Sequence, residues 1–172
     1  MDLKGKKIAF LGDSITEGCG TSSVDKTFWS LIAQRTGAAC YGYGIGGTRI
    51  APQQKLAEGE EDRYFATRLD SMIPDADIVV VFGGTNDFGH GDAPFGEFSD
   101  RTADTFCGAL HVLYTALLEK YPDKQIMVMT PPHRSSENIP NMHGKILAEY
   151  VDMIRKAAEY YSLPVLDLWA VS

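Results

Sequence analysis

Lys7-Ile8-Ala9-Phe10-Leu11-Gly12-Asp13-Ser14-Ile15-Thr16 is the stretch on which the reading of the whole chain turns. An apolar run ends at a glycine and two short polar residues, the pattern of a short strand that delivers a tight turn to the edge of a sheet. Four more runs of this kind follow, at residues 39–43, 78–82, 126–130 and 164–168. Between them the apolar residues change period. Phe106, Ala109, Leu110, Leu113 and Leu117 recur at helical spacing, and so do Ile146, Leu147, Tyr150, Val151, Ile154, Ala157, Ala158 and Tyr161. A shorter helix carries Phe28, Leu31 and Ile32 and stops at Gly37; another is expected over residues 63–72, ahead of Pro74. His111 falls on the side of its helix opposite Phe106, Leu110 and Leu113 and is expected to face solvent.

Strands alternating with helices are the signature of repeated βαβ units and a mostly parallel sheet. The fold class is therefore α/β, a three-layer α/β/α sandwich whose five strands suffice for a flavodoxin-like sheet. With 172 residues, and no repeat, low-complexity tract or linker, residues 1–172 read as one domain.

Composition narrows the partners. A net charge of −7 without any Lys/Arg run argues against nucleic acid and anionic membrane surfaces. The N-terminal residues lead straight into the first strand, with no signal-peptide hydrophobic region or membrane-spanning segment, so a cytoplasmic location is expected. Cys19, Cys40 and Cys107 are odd in number and lack metal-ligand spacing, so neither a disulfide framework nor a metal site is expected.

In such a sheet the segments leaving the carboxyl ends of the strands share one edge, where ligands bind. The unusual residues fall there, in segments 12–20, 44–49, 83–100 and 131–144. The last two are long for loops that usually run roughly 2–6 residues, and long loops in compact domains tend to be functional. Ser14 would present a hydroxyl at this edge. Asp13 beside it reads either as the cap of the following turn or as a substrate contact. Gly44-Ile45-Gly46-Gly47 allows the backbone to approach a ligand closely, and Gly83-Gly84-Thr85-Asn86-Asp87 adds a side-chain amide. A hydroxyl with hydrogen-bond donors around it is what acyl transfer needs, because the carbonyl oxygen becomes an oxyanion as the nucleophile adds.

These three blocks, Gly12-Asp13-Ser14-Ile15-Thr16, Gly47, and Gly84-Thr85-Asn86-Asp87, resemble those of the GDSL or SGNH hydrolase superfamily. The resemblance implies Ser14 as nucleophile and first oxyanion donor, Gly47 as second donor and Asn86 as third. It also implies a sheet in the order 2-1-3-4-5 and an esterase or acylhydrolase that needs no metal and no other cofactor, acting on a small-molecule ester.

The family's last block, an Asp-x-x-His after the fifth strand, has no counterpart. Asp167 is followed by Leu168-Trp169-Ala170, so it corresponds to the strand-end aspartate that precedes that block. His90, His133 and His143 all fall on crevice-edge loops, without a carboxylate at the family's spacing; His90 is the preferred substrate contact. Two expectations follow: a C-terminal segment bearing Asp-x-x-His lies outside this sequence, or the protein binds an ester or glycan without cleaving it. A phosphate-binding, flavodoxin-type domain is the third class, and it lacks a Gly-x-Gly-x-x-Gly or Walker motif. Phe88, Phe95 and Phe98, with Arg49 and Arg134, read equally as an apolar crevice with cationic rims or as ordinary loop packing.

Overall fold

The computed structural model describes residues 2–172. Its five strands, β1 (Lys7–Gly12), β2 (Ala39–Gly44), β3 (Ile78–Phe82), β4 (Gln125–Met129) and β5 (Val165–Leu166), are joined by helices. These are α1 (Ser14–Glu17), α2 (Phe28–Thr36), α3 (Thr85–His90), α4 (Phe106–Lys120), α5 (Leu147–Tyr160) and α6 (Leu168–Val171), with 3₁₀ helices at Val24–Lys26 and Phe65–Ser71. The sheet order is β2-β1-β3-β4-β5 and every pairing is parallel, as expected. Parallel neighbours need crossover connections, and β1 is where the order reverses, so the crevice opens at the carboxyl ends of β1 and β3.

The period-two pattern of the central strands builds two cores. Ala9, Leu11, Val79 and Val81 pack with α4, α5 and the second 3₁₀ helix, through Leu110, Leu113, Val151 and Phe65 among others. Ile8, Phe10, Val80 and Phe82 pack with Phe28, Trp29 and Ile32 of α2 on the other face. Phe28 meets Phe10 and Phe82 edge-on, with ring centroids 5.4 and 6.2 Å apart. Beyond α2 this second face carries an open apolar groove of about 350 Å³ over β3, β4 and β5, lined by Val80, Met127, Met129 and Leu166 among others.

Local signals set the helix ends. Thr27 and Thr105 cap α2 and α4 by accepting hydrogen bonds from the Ser30 and Gly108 N–H groups. Glu149 reaches back to the Ile146 N–H at 3.0 Å to start α5.

Four expectations are corrected. The segment 63–72 is a 3₁₀ helix that begins only at Phe65. The fifth strand is two residues long, because Asp167 turns away to hydrogen-bond Thr130 and Arg155. A six-residue helix, α3, occupies part of the segment read as a loop from Gly83 to Asp100. His111 is 1% exposed instead of facing solvent. The loop before α4 wraps over the helix side away from the sheet, so the Phe98 carbonyl and the Tyr161 hydroxyl each lie 3.0 Å from a His111 ring nitrogen.

Candidate active site

Gly12 and Gly44 end neighbouring strands in register. A Cβ on Gly44 would fall on the backbone of Thr16 and Glu17, and one on Gly12 would fall on the Thr16 side chain. The absence of side chains here lets α1 settle onto the strand ends, which puts Ser14 at the sheet edge. Asp13 caps α1, its Oδ1 accepting the Ile15 N–H at 2.9 Å, and is 1% exposed. Burial pushes its carboxyl up to about 6, against the opposing pull of the Ile15 N–H and the Arg68 charge. The geometry thus favours the capping role for Asp13: the carboxylate expected to meet substrate is turned inward.

Ser14 itself is half-buried. Glycine 46 lies beside it, since a Cβ there would sit 3.8 Å from the Ser14 Cβ. Gly47 follows with φ +74°, a left-handed backbone that glycine adopts without strain, and open space lies where its side chain would be. Among the described residues neither the Ser14 nor the Gly47 N–H donates to a protein acceptor. Asn86, in the first turn of α3, donates one Nδ2 hydrogen to the Thr48 carbonyl at 3.0 Å. That bond orients the amide beside Gly47 and leaves its second hydrogen available.

Two buried side chains missed by the sequence reading tie these turns together. Asp87 accepts the Ile50 and Ala51 N–H groups at 3.1 and 2.9 Å, which links the β3 turn to the segment after Gly47. Burial raises its carboxyl to about 6 despite those two bonds and Arg49. Arg68 donates to the Tyr43 and Gly12 carbonyls at 2.7 and 3.0 Å and to the Thr48 hydroxyl at 3.1 Å. Its signal was present in the sequence: an arginine in the apolar stripe formed by Phe65, Leu69 and Met72.

The histidines lie at different places. His90 ends α3 and is exposed; partial burial holds its imidazole below the ordinary range, with Arg49 and Arg134 adding to that shift. His133 stacks on Trp169 with ring centroids 3.9 Å apart, and its Nδ1 meets the Glu137 carboxylate at 2.9 Å. The backbone N–H of His143 donates to the Asn141 side chain. None of the four hydrogen-bonds Ser14 among the described residues.

A cleft of about 460 Å³ opens beside Gly46 and Gly47, walled by Thr48, Arg49, Asp62 and Arg63, with Leu56 as its one large apolar side chain. Arg49 spans its floor, bonding the Gly47 carbonyl at 3.0 Å and pairing with Asp62 at 3.4 Å. The aromatic residues of the third segment turn away from it. Phe88 packs edge-on against Tyr150, Phe95 stacks on Phe106 and meets Tyr150 edge-on, and Phe98 meets His111 and Tyr160 edge-on. These rings pack within the loops, and Phe88 with Arg134 also borders a separate small crevice of about 200 Å³. Among the described residues no group of three or more His, Cys, Asp or Glu gathers to hold a metal, and no helix is long and apolar enough to cross a membrane.

The sheet order and the family match together define the class of the chain as an ester hydrolase of α/β/α architecture. More narrowly, the chain belongs to the GDSL-like lipase/acylhydrolase family, which it matches over residues 10–172. It is 24% identical to a GDSL lipase of Mycobacterium tuberculosis, over 99% of this chain and 71% of that protein. A crystal structure of a Lactobacillus plantarum protein superposes with a TM-score of 0.81 at 28% identity, covering 97% of this chain and 78% of that one. The lipase/acylhydrolase of Enterococcus faecalis shares the fold, with a TM-score of 0.66 at 23% identity and coverage of 96% and 77%.

Proposed function

We propose that this protein cleaves carboxylic esters through an acyl-enzyme on Ser14, with the Ser14 N–H, the Gly47 N–H and the Asn86 amide as oxyanion hole. The Ser14 Oγ adds to the ester carbonyl as its hydroxyl proton is given up, to be returned to the departing alkoxide, and the oxygen that gains negative charge accepts hydrogen bonds from these three donors. The tetrahedral adduct collapses with loss of the alcohol, and water then releases the acid and restores the serine. The carrying observation is that two backbone N–H groups without protein acceptors stand on neighbouring turns, with the Asn86 amide held to the carbonyl next to one of them. His90, at the end of the same short helix as Asn86, contacts the substrate as a neutral imidazole.

The cleft beside Gly47 has polar and charged walls around a single leucine, which supports a short acyl group over a long lipid chain. Hydrolysis of p-nitrophenyl acetate and p-nitrophenyl octanoate tests both parts. Ser14→Ala abolishes the acetate reaction, Asn86→Ala lowers kcat about 10²–10³-fold, and octanoate is the poorer substrate. Full activity in the Ser14→Ala protein removes the proposal.

One observation favours a second reading, an ester-binding protein without turnover: no described histidine reaches Ser14 by a hydrogen bond. Intact-mass measurement separates the two. Turnover with a transient acetyl group on Ser14 supports catalysis; saturable binding with no acetyl transfer supports the binder.

A further inference from the structure

Among the described residues Arg68 is the one cation in the buried class, 7% exposed. Its guanidinium lies over the Phe65 ring, 4.9 Å from the centroid, and its Nε is buried without a hydrogen-bond partner. Burying a cation is unfavourable unless its partners compensate it, so stability alone does not say what this charge does here.

The three acceptors of this group point to another role. Nη1 bonds the Tyr43 carbonyl at 2.7 Å, near the end of β2. Nη2 bonds the Gly12 carbonyl at 3.0 Å, two residues before Ser14, and the Thr48 hydroxyl at 3.1 Å, one residue after Gly47. The same Thr48 presents its carbonyl to Asn86 Nδ2 at 3.0 Å and donates its hydroxyl to the Ile45 carbonyl at 2.7 Å. One planar cation therefore touches the turns carrying two of the proposed donors, and reaches the third through a single residue.

We propose that Arg68 is a positioning residue for the oxyanion hole, its guanidinium setting the spacing of the turns that bear Ser14, Gly47 and, through Thr48, Asn86. It contacts no substrate atom. The requirement is for a flat fork that bonds several acceptors at fixed angles, which a lysine ammonium does not supply. Displacement of a catalytic group by about 1 Å costs on the order of 10² in rate, so the anchor acts on turnover more than on binding.

The inference rests on the oxyanion-hole reading, and the test separates the two. Rates of p-nitrophenyl acetate cleavage are compared for the wild type, Arg68→Met, Arg68→Lys, Thr48→Val, Asn86→Ala and the Arg68→Met/Asn86→Ala pair. Where turnover is slow, the p-nitrophenolate burst that accompanies Ser14 acetylation is read instead. Arg68→Met is expected to lower kcat about 10–100-fold while KM stays within about twofold, and Arg68→Lys is expected not to restore it. Thr48→Val, which removes only the hydroxyl contacts, is expected to lose about 5–10-fold. In the double variant the losses fall short of the product of the singles, because Arg68 acts through the donors that include Asn86.

A folded Arg68→Met protein with unchanged kcat overturns the inference, as does a strictly multiplicative double variant. If Arg68→Met does not fold, Thr48→Val and its pair with Asn86→Ala carry the same comparison. Loss of activity in Ser14→Ala and Asn86→Ala with none in the Arg68 and Thr48 variants defeats this inference alone. Unaffected Ser14→Ala and Asn86→Ala proteins defeat the proposed function itself.

Discussion

Asp13 shows how a single side chain is redirected by its surroundings. Next to a serine at a sheet edge it reads either as a cap or as a substrate contact; in the fold it caps α1 and lies against the buried side of the turn. Its carboxyl is raised to about 6 by burial, so the folded state holds the proton more tightly than the unfolded chain does. The stability it contributes is fully present below the unfolded value near 3.8 and is lost as pH rises through about 6. Asn at this position keeps an oxygen for the cap and does not titrate. Asp13→Asn is therefore expected to gain in melting temperature on the wild type between pH 4 and pH 8; a difference that shrinks over that range contradicts the assignment. His90 is tested by kinetics: as a substrate contact felt equally in ground and transition states, His90→Ala raises KM and leaves kcat nearly unchanged. A fall in kcat with constant KM would place it in the chemistry instead.

At the scale of elements, close approach of α1 to the ends of β1 and β2 sets the position of Ser14, the proposed nucleophile. Gly44→Ala forces a methyl group into the Thr16–Glu17 backbone, which side-chain rotation does not relieve. Overpacking of this kind costs about 1–3 kcal/mol or more, and here activity is expected to fall along with the denaturation midpoint. Helix α4 makes the contrasting point. Its apolar stripe was readable, but His111 on the opposite side was assigned to solvent because the covering came from elsewhere in the chain: the loop at Phe98 and the end of α5 at Tyr161. His111→Leu removes two hydrogen bonds, while Arg101 still donates to the Phe98 carbonyl and Thr115 to the Tyr161 hydroxyl, so the loss is expected at about 0.5–1.5 kcal/mol for each bond removed. Urea denaturation of the variant measures that loss, and a midpoint equal to the wild type would show the contacts to be unimportant.

Across the whole molecule the layers are unequal. β1 and β3 lie at the centre with apolar residues on both faces, β2 is an edge strand with much of its length exposed, and β5 is a two-residue edge. Hydrogen exchange is expected to be slowest at Val79, Val80 and Val81 and fast in β2 and β5, since local opening follows burial and pairing; equal protection across the sheet would contradict this order. Much of this architecture was legible from residues 7–16 outward, because a period of two, a period near 3.6 and a glycine at a strand end are local consequences of backbone geometry. The same locality singled out Ser14, Gly47 and Asn86 as candidates, since each follows its own strand. Arg68, Asp87 and Thr48 were not assigned roles, although all three stand in plain view as letters. Their roles lie in hydrogen bonds to carbonyls and N–H groups of other turns, up to 56 residues away in the chain. The sequence by itself determined the alternation of strands and helices and which candidate residues follow each strand. Only the tertiary structure decided which buried charges tie the turns of Ser14, Gly47 and Asn86 together, because a buried ion takes its meaning from partners that folding, and not chain proximity, brings within reach.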